Sequence, residues 1–238
     1  MQPLHIEFRL ASPIYVESEH PIHLDALLTY AASQELIEQG ADNPWEECHE
    51  FLNETLDKTE GENWVWKASK LLMTPLATPQ FTPMIRKCDP DAYYDEMYSE
   101  DNPDGIWVSR FLKGGVMSPA NPLKFKINTS SGQRKSYYWL AAHQWVDKVE
   151  AYCVGDKEQI EDLLRKHIKF IGKMGRNGFG RIKEITVTPS ENTEAWRMRV
   201  LPLEEDGMDG VEYAEVQECV RPEYWNALAR VRAKEPIL

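Results

Sequence analysis

The sequence has no run of about 18 consecutive apolar residues, the least that a helix needs to cross a bilayer. Its first residues, MQPLHIEFRL, lack the basic and then apolar layout of a secretory signal. The four cysteines, Cys48, Cys88, Cys153 and Cys219, are scattered and form no CxxC pair, which argues against a zinc knuckle or a disulfide framework. We therefore expect a cytoplasmic protein with buried thiols and no membrane partner.

Motifs for cofactors and metals are also missing. The chain has neither GxxxxGK[ST] nor a GxGxxG that opens a helix, so the common nucleotide-binding loops are excluded. No group of His, Asp and Glu has the sequence spacing of a metal site. We expect no cofactor and no metal ion.

The charge that is present is unevenly distributed. The 238 residues carry a formal net charge of -12, with 42% apolar residues and eight tryptophans, which indicates a globular protein with a buried core. Residues 110–183 nevertheless hold 15 Lys and Arg against 6 Asp and Glu, and residues 163–183 hold seven bases and no acid. Such a local excess of positive charge is typical of a surface that binds a polyanion. The alternative is a solvated basic face that acidic loops balance.

Strand and helix patterns alternate in the first half of the chain. Alternating apolar residues predict a strand from the N-terminus to about Val16. Helical spacing and Gly40 predict a helix within residues 20–40, and Pro44 begins a second, acidic helix within residues 42–60. Two further strands are predicted in residues 64–75 and 80–88, followed by an acidic loop over residues 89–105.

The second half of the chain again has a strand followed by a helix, and a predicted hairpin precedes them. Residues 123–140 form a predicted β-hairpin around Gly132, with four bases at Lys124, Lys126, Arg134 and Lys135. A strand ends near Val154, Asp156 caps a helix to Ile171, and RIKEITV is a strand. The strand AWRMRVLPL and the helix RPEYWNALARVRA complete the chain. Two βα-type units around antiparallel strands predict an α+β, ferredoxin-like (RRM-like) fold. Its core would span residues 1–188, with the C-terminal strand and helix of residues 189–238 packed on it.

A glycine-rich loop, GKMGRNGFGR, lies between the last core helix and the last core strand at residues 172–181. Its glycines let a backbone approach closely, and Lys173, Arg176 and Arg181 add positive charge. A sugar-phosphate backbone is the ligand that this combination favours. The alternative is a long turn in which Phe179 packs.

This loop, of the form GxxGxxGFGR, is similar to the signature of the RAMP superfamily, the repeat-associated RNA-binding proteins of CRISPR systems. PIHLDALLTYA, residues 21–31, resembles the segment after the first strand of several RAMP subunits. The resemblance spans roughly residues 4–188. Among RAMP subunits, the chain most resembles the one that caps the crRNA at its 5′ handle in type IV (AFERR-type) effector complexes, which act in antiviral defence.

The resemblance implies a non-catalytic RNA-binding subunit. Its implied partners are the crRNA, a backbone RAMP subunit, the large subunit and, indirectly, target DNA. The aromatics Tyr137, Tyr138, Trp139 and Phe179 are candidates for stacking on bases. The residues predicted to bind RNA are Lys124, Lys126, Arg134, Lys135, Tyr137, Lys169, Gly172, Lys173, Gly175, Arg176, Gly178, Phe179, Gly180 and Arg181.

Two other functions remain open from the sequence. His143, near Tyr137, Tyr138 and Lys135, is a weak candidate for the acid or base of a metal-independent crRNA-processing endoribonuclease. The acidic residues 89–104 and 204–218 suit a protein-interaction protein that binds no RNA.

Overall fold

The computed structural model describes residues 1–15, 21–87 and 135–237. Two compact units comprise residues 1–80 with 142–238, and residues 81–141. Residues 123–134 of the predicted hairpin, with Lys124, Lys126, Gly132 and Arg134, lie outside the described residues, as do the acidic loop 89–105 and Cys88. The last residues of that hairpin, 135–140, are described.

The described residues have an α+β structure with three α-helices and several antiparallel sheets. The α-helices are α1 (Leu24–Gln39), α2 (Pro44–Leu52) and α3 (Lys157–His167). The strands are β1 (Gln2–Leu10), β2 (Ile14–Tyr15), β3 (Leu72–Pro75), β4 (Gln80–Arg86), β5 (Tyr137–Gln144), β6 (Val146–Gly155), β7 (Ile182–Pro189), β8 (Leu201–Pro202), β9 (Tyr213–Glu218) and β10 (Val231–Pro236).

A four-stranded sheet with the order β3-β6-β1-β7 forms the centre of the first unit. Strand β1 pairs antiparallel with both β6 and β7, and β3 pairs antiparallel with β6. Leu4, Ile6 and Phe8 alternate along β1 and are fully buried, as the period of two in the sequence predicts. This order, with α1 and α3 as connections, is compatible with a ferredoxin-like fold.

The helices pack their apolar residues into the same core as the sheet. The prediction for α1 is confirmed: Leu24, Leu28 and Ala32 are buried, and Gly40 ends the helix in the left-handed conformation. The cap of α3 is confirmed as well, because the Asp156 carboxylate accepts the backbone N–H of Gln159 at 3.0 Å. No helix in these described ranges is long and apolar enough to cross a membrane.

Five predicted elements have different bounds. The first strand breaks at residues 11–13, and the second helix is limited to Pro44–Leu52. Of the strand predicted over residues 64–75, only Leu72–Pro75 is a strand, and α3 ends at His167 rather than at residue 171. Residues 195–203 contain a short 3₁₀ turn and the two-residue strand β8 instead of one long strand.

The predicted C-terminal helix over residues 221–233 is wrong. The chain there forms a single 3₁₀ turn at Ala227–Ala229 and then strand β10. Strand β10 lies between β8 and β9 in a three-stranded sheet. A second hydrophobic cluster, which includes Trp196, Leu201 and Ala233, fixes this sheet. The pairing of β10 with its two neighbours therefore replaces the local helical hydrogen bonds.

Candidate nucleic-acid interface

The glycine-rich loop connects α3 to β7 and is fixed at its base by the turn between β1 and β2. The Gly180 N–H donates to the Pro13 carbonyl at 2.8 Å, and the Arg181 N–H donates to Ser12 Oγ at 2.9 Å. Across the base, the Ile171 N–H donates to the Gly180 carbonyl at 2.8 Å. The loop is therefore a closed turn with defined ends.

Three glycines of the loop, Gly172, Gly178 and Gly180, have positive φ angles, and the last two have them for different reasons. Gly180 has a φ of 64°, and a Cβ there would overlap the Ile171 carbonyl oxygen. Gly178 has a φ of 89° in open space, where its N–H closes the 3₁₀ turn of Gly175–Asn177 on the Gly175 carbonyl at 2.9 Å. These two amides already have acceptors within the protein. Positive charge at the loop is therefore supplied chiefly by side chains, and the glycines set its shape.

The basic side chains of the loop lie at the surface. Lys169, Lys173, Arg176, Arg181 and Lys183 are all exposed. Among the described residues, no acidic side chain forms an ion pair with Arg176, Arg181 or Lys183. Positive charge that no ion pair neutralises is what a phosphate backbone needs from a protein surface.

Two other bases of this section are already paired. Arg165 bridges to Glu161 at 2.6 Å, and its Nη2 donates to the Ile185 carbonyl at 3.1 Å. Lys166 contacts Glu35 at 2.5 Å. The seven bases counted in residues 163–183 therefore do not contribute equally to the surface charge.

A cleft of about 330 Å³ lies between α3 and β7, beside the loop. Arg165, Lys169 and Lys183 line it together with Glu184 and three isoleucines. Because Arg165 is paired with Glu161, Lys169 and Lys183 supply the positive charge of the cleft, and Glu184 offsets part of it. The sequence predicted only Lys169 of this set, because the positions of the other two depend on the packing of α3 against β7.

Phe179 is buried beneath the loop, with 8% of its surface exposed. Its ring lies 6.3 Å from that of Tyr15, edge to face, and 5.5 Å from that of His143. The ring anchors the loop in this structure and is not positioned to stack on a base. His143 is itself 8% exposed, which leaves it little access to a substrate.

The other predicted contact residues fall in the second unit or outside the described residues. Tyr137 is 41% exposed on β5, Tyr138 is 66% exposed, and Lys135 is exposed just before that strand. Their roles in RNA binding stay predictions. Lys124, Lys126 and Arg134 lie outside the described residues.

Two clusters of charged residues were not predicted from the sequence. Glu35 and Glu38 on α1 meet His167 at the end of α3, with ligand atoms within 4.8 Å of one another. Lys166 Nζ lies 2.5 Å from Glu35 and 3.0 Å from Glu38, so an ammonium group already offsets part of the negative charge of this cluster. Hydrogen bonds from Lys166 and His167 lower the pKa of Glu35 to about 2. This cluster joins α1 to α3.

The second cluster is a buried ion pair between Asp25 and Arg199, both fully inaccessible to solvent. Arg199 Nη2 donates to Asp25 Oδ2 at 3.1 Å, and the Tyr224 hydroxyl donates to the same oxygen at 2.8 Å. His23 stacks on Tyr224 at 4.5 Å, and burial, with the charges of Arg199 and Lys70, lowers its pKa well below the usual range. Asp25 belongs to the LDALL segment, so part of that motif has a structural role.

A family model described as CRISPR type IV associated protein Csf3 matches residues 2–236, and the chain belongs to this family. No curated protein matches the sequence. Family membership indicates a component of a type IV CRISPR effector complex, which contains other subunits.

Proposed function

For this member of a type IV CRISPR-associated family, we propose that the chain is a non-catalytic RNA-binding subunit that caps the crRNA at its 5′ handle. The observation that supports the proposal most is the closed glycine-rich loop with its exposed bases. Arg176 and Arg181 contact the handle's phosphates together with Lys173, and Lys169 and Lys183 continue this contact along the cleft.

The proposed fold of the first unit is the ferredoxin-like fold of RAMP proteins. The sheet order β7-β1-β6-β3, with α1 after β1 and α3 after β6, supports it. In this fold the glycine-rich loop precedes the last strand of the sheet, where β7 is an edge strand.

We also propose that the hairpin bases Lys124, Lys126, Arg134 and Lys135, with Tyr137, extend the RNA contact and reach a backbone subunit. The large subunit and, through the guide, target DNA complete the set of partners. The complex would act in the cytoplasm.

A processing endoribonuclease is less well supported. A general acid or base must reach the 2′-OH or the leaving oxygen within about 3 Å. His143 is buried against Phe179, and this contact explains the histidine as a packing residue. His143→Ala should therefore leave any cleavage of a repeat RNA unchanged.

The test is to co-express the tagged chain with the neighbouring genes and a CRISPR array, then sequence the RNA that copurifies. Three substitutions, Lys173→Gln, Arg176→Gln and Arg181→Gln, remove the loop charge. A control variant with Lys58→Gln, Arg230→Gln and Arg232→Gln removes the same charge from exposed positions elsewhere.

We expect guide-length RNA with one common 5′ end from the unmodified chain and from the control. The loop variant should recover the protein subunits but much less RNA with that end. Equal RNA recovery from the loop variant would remove the loop from the interface, and recovery of no RNA from any variant would contradict RNA binding itself.

A further inference from the structure

The turn between β9 and β10 presents apolar side chains to solvent. Trp225 is 80% exposed and Leu228 is 97% exposed, and Ala227 and Ala229 beside them are exposed as well. Single exposed apolar residues are ordinary on protein surfaces, but adjacent large ones mark interaction sites. We call residues 225–229 the apolar tip.

The apolar tip is held by contacts on both sides of Trp225. Before it, the Tyr224 hydroxyl donates to the buried Asp25 carboxylate at 2.8 Å. After it, the Asn226 carbonyl accepts the Cys219 thiol at 3.2 Å, and the Asn226 side chain accepts the Leu228 N–H at 3.1 Å. An anchor whose backbone is fixed in advance loses little entropy on binding. Tryptophan is also among the residues that contribute most to protein interfaces.

The segment before the tip carries an excess of acids, and its unpaired acids precede β9, because Glu215 and Glu218 on β9 pair with Arg232 and Arg230. Residues 204–218 contain seven acids and no base. In the described ranges, no base forms an ion pair with Asp206, Asp209 or Glu212, all of which are exposed. Glu223, next to the tip, is exposed too. Such a surface repels a phosphate backbone and attracts a basic protein.

The charge also indicates whether the partner that binds the tip is a second copy of the chain or a different protein. A two-fold contact between two copies that covers both the tip and residues 206–212 would bring the acids of one copy close to those of the other. Like charges brought together in this way oppose association. A different protein with a basic surface meets no such penalty.

We propose that the apolar tip and the acidic residues of 204–218 form the docking surface for a basic protein subunit of the effector complex. Trp225 and Leu228 enter an apolar pocket on that subunit, and its basic rim faces Asp206, Asp209 and Glu212. The proposal rests on the family's place in a complex with other subunits and does not depend on the role of the glycine-rich loop.

The test compares three variants of the tagged chain, co-expressed with the neighbouring genes and a CRISPR array. The tip variant carries Trp225→Ala and Leu228→Ala, and the charge variant carries Asp206→Lys, Asp209→Lys and Glu212→Lys. A control with Trp45→Ala and Ile37→Ala removes side chains that are 60% and 46% exposed elsewhere. Quantitative mass spectrometry measures the copurified subunits, and thermal unfolding of each purified chain checks its fold.

We expect the tip and charge variants to retain one subunit at least about tenfold less than the unmodified chain does, with unchanged unfolding midpoints. The control should retain it. Binding of repeat RNA by the isolated chain should be the same for the tip variant and the unmodified chain.

Four results would overturn the proposal. One is full retention of every subunit by either variant, and another is an equal loss with the control. A third is an isolated chain that is dimeric until the tip is changed, which would assign the tip to a second copy. The fourth is a tip variant that loses RNA in the isolated chain, which would make Trp225 a base-stacking residue.

Discussion

Replacing Asp25 by alanine should destabilise the fold through the charge that it leaves behind on Arg199. The guanidinium is fully buried, and its N–H groups also donate to the carbonyls of Trp66, Ala68 and Val220. These neutral acceptors stay in place in the variant, but the only buried carboxylate within hydrogen-bonding distance among the described residues is gone.

Breaking a buried ion pair by removing one partner typically costs about 3–5 kcal/mol. Because the carbonyls still satisfy the Arg199 donors, we expect the lower end of that range, about 3 kcal/mol. For a chain of this length such a loss lowers the melting temperature by roughly 6–12 °C. Tyr224→Phe removes one hydrogen bond to the same carboxylate and should cost about 1.5–3 kcal/mol.

Urea denaturation followed by tryptophan fluorescence measures these free energies of unfolding. Asp162→Ala, at an exposed position on α3, is the control and should change the value by less than about 0.5 kcal/mol. A loss of unfolding free energy below about 1 kcal/mol for Asp25→Ala alone would refute the reasoning, because a buried charge that has lost its partner should destabilise the fold by more than that.

Two further predictions concern the loop and the helix contact. Gly178→Ala, where φ is 89° in open space, should cost about 1–2 kcal/mol of unfolding free energy. Gly180→Ala should cost more, because its Cβ would also overlap a carbonyl, and urea denaturation that ranks the two in the reverse order would contradict the loop geometry. The pKa of Glu35 is about 2 in the fold against 4.5 unperturbed, so its contribution is present above pH 4.5 and is lost as pH falls towards 2. Because Lys166 is 42% exposed, we expect this contribution to the free energy of unfolding to be about 1 kcal/mol. Glu35→Gln should remove it, so the stability of the variant should fall less between pH 4.5 and pH 2 than that of the unmodified chain. An unchanged fall in stability over this pH range would count against the ion pair.

Sequence patterns correctly predicted the elements that are stabilised by residues close together in the sequence. The alternation of β1, the apolar stripe of α1 and the Asp156 cap each depend on residues a few positions apart, and each is confirmed. The position of the glycine-rich loop between α3 and β7 follows from the same patterns.

The wrong predictions concern segments that distant contacts control. The C-terminal segment has helical spacing, but its Tyr224 is held by Asp25, 199 residues away in sequence, and β10 pairs with β8 and β9. Helix α3 stops before Ile171 because the Ile171 N–H bonds to Gly180 instead of to its own helix. Lys166 belongs to a basic run, and its partner Glu35 lies on another helix. No local window contains these partners.

The most direct test of RNA binding at the loop is the salt dependence of affinity for a repeat-derived single-stranded RNA. Fluorescence anisotropy at several salt concentrations gives the slope of log K against log salt for the unmodified chain, the loop variant and the control variant. Each phosphate contact to single-stranded RNA contributes about 0.7 to this slope, so the loss of Lys173, Arg176 and Arg181 should reduce it by about 2. An equal slope for the loop variant and the unmodified chain would contradict the account.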